Sequence, residues 1–126
     1  TYMGLMDSQA VFIGTDASEY WKKPEFASFC KPYFDKGKAW SFTPLRRNVY
    51  FDDSGRVAWF DELLHTWMGT CFGNGLLTLT ERGWKIQHYA LSVAIPNDDM
   101  ETVIQVKHTR DSLFLETFVQ GPKPLE

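Results

Sequence analysis

Gly83-Trp84-Lys85-Ile86-Gln87-His88-Tyr89-Ala90-Leu91-Ser92-Val93-Ala94-Ile95 is the stretch on which the fold turns. It follows the turn residues Glu81-Arg82-Gly83, is rich in aromatic and branched side chains, and is halted by Pro96. That pattern predicts a long final strand from Trp84 to Ile95. Moving back along the chain, Leu76 to Thr80 is a strand entered through Cys71-Phe72, with Gly73-Asn74-Gly75 as a bend or bulge. Arg56 to Met68 is a long strand, and Arg46 to Phe51 another, joined through Asp52-Asp53-Ser54-Gly55. Long strands linked by tight turns form an antiparallel meander, and strands of about ten residues must twist and coil.

The flanks supply the helices. Gln9 to Thr15 reads as a short buried strand ended by Gly14, preceded at Thr1 to Asp7 by what reads as the tail of a helix. Asp16 to Lys23 reads as a loop. Pro24 suits the first position of a helix. Phe26, Phe29, Cys30 and Tyr33 follow at helical spacing, with a kink at Pro32 and an end at Gly37. Trp40 to Thr43 forms a short strand stopped by Pro44. At the far end Asn97 is placed to cap a helix over 98–118. The class is therefore α+β, with a strongly curved antiparallel sheet packed on helices in one domain spanning residues 1–126.

Composition narrows the function. The 126 residues carry 13 basic and 16 acidic side chains, a net charge of −3, which disfavours nucleic acid and anionic membrane surfaces as partners. Aromatic residues make up 16% of the chain, enough to fill a core, line a cavity or make an interface. The two cysteines, Cys30 and Cys71, and the three histidines have no metal-ligand spacing, so neither a metal nor another cofactor is expected. There is no phosphate loop, no nucleophile elbow and no long apolar run, and a cytoplasmic bacterial protein fits.

Alternation assigns candidate site residues. Trp84, Ile86, His88, Ala90 and Ser92 fall on one side of the last strand, and Trp59, Asp61, Leu63 and His65 on one side of the long central strand. Lys85 and Gln87 mark the wetter side, so Trp84 and His88 are expected on the concave one. Asp61 and Glu62 stand mid-strand among apolar neighbours. A carboxyl held away from water binds its proton more readily, which suits general acid–base work. With Asp61 facing the pocket beside His88, the pair could move a proton. Trp40, Trp59, Trp84, Phe29, Leu63 and Ser92 would line the ligand. The plainer alternative is that each carboxylate serves a nearby backbone or arginine group.

Val11-Phe12-Ile13-Gly14-Thr15-Asp16, Val57-Ala58-Trp59-Phe60-Asp61-Glu62 and the W-x-I-x-H-x-x-x-S run from Trp84 to Ser92 resemble the SnoaL-like group of the nuclear transport factor 2-like superfamily. The resemblance runs from about residue 5 to residue 106. It implies a cystatin-like cone: a bent sheet around helices, a pocket at the open end, and a homodimer formed through sheet surfaces. It also implies a long first helix, of which only the last turns are expected here. Relatives include ketosteroid isomerase, polyketide cyclases, dehydratases and non-catalytic assembly domains, so two expectations stand together. One is a protein binding a small apolar ligand, with isomerase, cyclase or dehydratase chemistry at Asp61 and His88. The other is a dimeric binding or assembly module without catalysis.

Overall fold

The computed structural model describes residues 5–24 and 42–118. The chain divides into two compact units, Thr1–Ala94 and Ile95–Glu126. The first is a six-stranded sheet of β1 (Met6–Ile13), β2 (Tyr20–Lys22), β3 (Thr43–Phe51), β4 (Val57–Thr66), β5 (Gly69–Thr80) and β6 (Gly83–Val93), in spatial order β2-β1-β6-β5-β4-β3. The expected helix after Pro24, with Phe29, Cys30 and Pro32, lies outside the described residues, as does Trp40.

The meander is present and one strand longer than its three principal members, because β3, β4, β5 and β6 pair in sequence as antiparallel neighbours. Two expectations about the start of the chain change. Met6 and Asp7 belong to β1 rather than to a helix, and β1 pairs in parallel with β6, with Met6 opposite Ile86 and Phe12 opposite Tyr89. Tyr20 to Lys22 is not loop but a short edge strand against β1, with the Trp21 ring stacked on Phe12 at a centroid distance of 6.0 Å. Parallel pairing across 77 to 80 positions leaves no local signal, since only the finished sheet brings the partners together.

The turns are locally determined. The run expected as one strand to Met68 breaks instead at Thr66-Trp67-Met68-Gly69. Thr66 Oγ1 accepts the Met68 N–H at 2.9 Å and donates to the Gly69 carbonyl at 3.0 Å. Thr80-Glu81-Arg82-Gly83 repeats the device, with 3.1 Å from Arg82 N and 2.8 Å to Gly83 O. Gly69 and Gly83 adopt φ of 86° and 96°, which a residue with a Cβ resists. Between β3 and β4, Ser54 donates its hydroxyl to Asp52 at 2.8 Å, which with the Val57 N–H holds the Asp52 carboxyl below its ordinary range.

Register sorts the faces. Ala58, Phe60, Glu62 and Leu64 of β4 share a face with Cys71, Gly73, Gly75 and Leu77 of β5, and this face carries Met6, Ala10, Phe12, Tyr89 and Leu91. Phe51 of β3 and Trp84 of β6 meet edge to face at 5.8 Å although β4 and β5 lie between their strands. In a flat sheet those strands would stand about 14 Å apart. Their contact therefore marks the core-bearing face as concave. The sheet is curved and does not close on itself.

The second unit holds a 3-10 turn at Asn97–Asp99 and helix α1 (Met100–Glu116). Asn97 does not cap it: Asp99 takes the cap position, and no side-chain cap hydrogen bond forms. Among the described residues no helix is long and apolar enough to cross a membrane.

Candidate functional site

Two of the three residues of β5 between Phe72 and Leu76 are glycines on the concave face, and they leave a gap in the centre of the sheet. Gly73-Asn74-Gly75 is thus not the expected bend but continuous strand. Side chains from both neighbouring strands fill the space. A Cβ on Gly73 would fall on the Tyr89 hydroxyl and within 2.9 Å of Glu62 Oε2. One on Gly75 would stand 2.8 Å from the Phe60 ring.

Over this gap lies a buried carboxylate bonded at both oxygens. Glu62 is 7% exposed. Its Oε2 accepts the Tyr89 hydroxyl at 2.7 Å. Its Oε1 accepts the Nε–H of Arg47 at 2.9 Å and an Nη2–H at 2.7 Å. Arg47 reaches it because the two residues are paired directly across β3 and β4. The Tyr89 ring is held between Phe12, stacked at 5.6 Å, and Phe60, tilted at 5.9 Å. The carboxylate is thereby fixed at both oxygens within an apolar wall. A buried carboxylate so bound is stable only with its partners in place.

The sequence-based candidates are distributed differently from expectation. Trp59, Asp61, Leu63 and His88 stand on the outer face, as does Ser92. Asp61 is exposed and accepts from Asn48 Nδ2 at 3.0 Å. Trp59 stacks on Tyr50 at 6.1 Å. Asp61 and His88 are separated by β5, where they oppose Asn74 and Leu76 respectively. Trp84 alone of the described candidates is on the concave face, packed on Phe51. The reason is a bulge. Leu76 pairs with His88 and Leu77 with Ile86, so Gln87 is the extra residue of β6. Two-residue alternation inverts at that point. Trp84 and Ile86 therefore share a side with Tyr89 and Leu91, not with His88. On β4 the two-residue alternation holds throughout, and it places Glu62, not Asp61, on the concave face. Among the described residues no cluster of three or more His, Cys, Asp or Glu side chains is placed to hold a metal ion.

The comparisons with known proteins agree with this architecture. The SnoaL-like domain matches residues 1–96. The chain belongs to the SnoaL-like domain family. No curated protein sequence matches it. Among solved structures, a cystatin-like domain of unknown function from Nostoc punctiforme is similar, with a TM-score of 0.63 at 14% identity, covering 96% of this chain and 83% of the other. A nuclear transport factor 2-like protein of unknown function from Pseudomonas putida gives 0.60 at 11% identity over 76% and 72%. A candidate ketosteroid isomerase from Shewanella frigidimarina gives 0.54 at 14% identity over 72% and 78%. At such identities the likeness is one of fold. The SnoaL-like chain is thus α+β, cystatin-like and nuclear transport factor 2-like in architecture.

Proposed function

We propose that this SnoaL-like chain binds a small, mainly apolar ligand against the concave face of its sheet, and that Glu62 is the group that exchanges a proton with it. The supporting observation is the buried Glu62 carboxylate bonded to the Tyr89 hydroxyl at 2.7 Å. Arg47 occupies Oε1, which leaves Oε2 as the oxygen that takes a proton. Tyr89 positions that oxygen. An apolar wall with one fixed carboxylate suits proton transfer at a carbon next to a carbonyl, the step shared by isomerase, cyclase and dehydratase chemistry. The role sought for Asp61 passes to Glu62.

The test is deuterium uptake beside the carbonyl of ring-sized ketones, followed by NMR in heavy water. The wild-type chain accelerates exchange of at least one ketone. Glu62→Gln, which keeps the shape but replaces one acceptor oxygen by an amide nitrogen that cannot take a proton, lowers that rate by roughly 10²–10⁴-fold. Equal rates in two folded proteins would remove Glu62 from the chemistry. Binding without exchange in the wild type would leave a ligand-binding module.

The outer face supports a second reading, in which the chain is a dimeric module. Tyr50 (45% exposed) and Trp59 (44%) stack there as an exposed aromatic patch, with Leu76 (36%) paired opposite Trp59. Apolar patches of this kind mark interaction surfaces, and a second copy of the chain is its proposed partner. The two readings use opposite faces of one sheet and are compatible.

A further inference from the structure

Arg47 is only half used by Glu62. A guanidinium offers two donor edges, one formed by Nε and Nη2 and the other by Nη1 and Nη2. Glu62 Oε1 engages the first edge, at 2.9 and 2.7 Å. No described residue bonds to the second. The exposures of the two partners differ in the same sense: the Glu62 side chain is 6% exposed and that of Arg47 is 52%. The pair therefore runs from the buried floor to the open rim of the concave face, with an unused planar fork at the rim.

What lies beside that fork is apolar. Val49 and Phe51 follow Arg47 on the same side of β3 and are 49% and 60% exposed. Phe51 meets Trp84, and Phe60 lies opposite Val49. Phe51 stands four positions along the strand from Arg47, a length of about 13 Å. A cationic fork at one end and an aromatic pair at the other define a molecule of matching shape.

We infer that the ligand of this site is an amphipathic carboxylic acid, its carboxylate on the Nη1–Nη2 edge of Arg47 and its flat apolar body directed along β3 toward Phe51 and Trp84. The inference rests on the concave-face binding proposed above and adds the chemical class. Arg47 would then bridge two carboxylates, one from the protein and one from the ligand. The buried one orients the guanidinium in advance, so binding loses little side-chain freedom. A planar two-oxygen anion matches the fork, whereas an ester or ketone offers no charge to it.

Calorimetric titration with para-phenylbenzoate, its methyl ester, para-phenylacetophenone and benzoate tests this. The expected order places para-phenylbenzoate roughly 10–100-fold tighter than its ester and the ketone, the span of a charge-assisted hydrogen-bonded pair. Arg47→Lys keeps the cation beside Glu62 but loses the fork, and it weakens that preference several-fold. Benzoate, too short to reach Phe51, binds more weakly than para-phenylbenzoate. The inference is overturned if the acid, ester and ketone bind alike, if the acid preference is as large in Arg47→Lys as in the wild type, or if benzoate equals the longer acid. Its failure is separable from that of the function proposed above. Loss of the acid preference with Glu62-dependent ketone exchange intact sinks only the ligand class. An intact acid preference with Glu62-independent exchange sinks only the proton transfer.

Discussion

Asp61 and Glu62 are adjacent carboxylates with opposite surroundings. Asp61 meets Asn48 and solvent, while Glu62 meets Tyr89, Arg47 and the apolar wall. Both residue types and the strand itself were legible in the sequence. Which of the two points inward was not, because both sides of β4 alternate through apolar residues and the burial of one side depends on strands elsewhere. A signal did exist in Gly73 and Gly75. Glycines two apart on one strand share a face, and so leave room there for side chains from both neighbours. Gly73→Ala therefore places a methyl group on the Tyr89 hydroxyl and should destabilise the protein by about 1–3 kcal/mol. Urea unfolding of Gly73→Ala, Tyr89→Phe and the double variant checks this. Removing the hydroxyl should return part of the loss, so the two changes combine to less than their sum. Additive losses would mean that the hydroxyl is not the obstacle.

At the scale of elements, turns were the most local features and the bulge the least. Thr-x-x-Gly occurs at Thr66–Gly69 and again at Thr80–Gly83, with the same threonine bonds and a positive φ at each glycine. Only the second reads as a turn in the sequence, since Trp67 and Met68 look like more strand. The bulge at Gln87 carries no such marker. Its side chain donates to Thr78 at 2.8 Å, and its backbone is the surplus residue of the β5–β6 pairing. Deleting Gln87 should leave every other side chain of β6 on its present face, because the ladder then closes from His88 directly to Ile86. The expected loss is about 1 kcal/mol, the scale of one hydrogen bond. Deleting Ala90, where the ladder is unbroken, should slip Tyr89 to the other face and abolish folding. Thermal melts by circular dichroism distinguish the two. Equal damage from both deletions would show that the bulge does more than add a residue.

At the scale of the molecule, the sheet presents two faces of different composition. One carries the core and the Glu62 cluster, and the other an uncovered aromatic patch. The proposed pairing of outer faces predicts a dimer by light scattering, and Trp59→Arg should shift it toward monomer while the Glu62-dependent proton exchange persists. A wild-type monomer at high concentration would end the dimer reading. The α+β class, the meander, the turns at Asp52–Gly55 and at Glu81–Gly83 and the resemblance that proved to be family membership were all determined by the sequence itself. Alternation, turn residues and strand length act between positions close in the chain, and they are read without knowing what lies across the sheet. Only the tertiary structure decided that β1 joins β6 in parallel, that Gln87 inverts the parity of β6, and that Glu62 rather than Asp61 meets Tyr89. Each of these depends on pairing between distant segments, which exists only once the sheet has formed and curved.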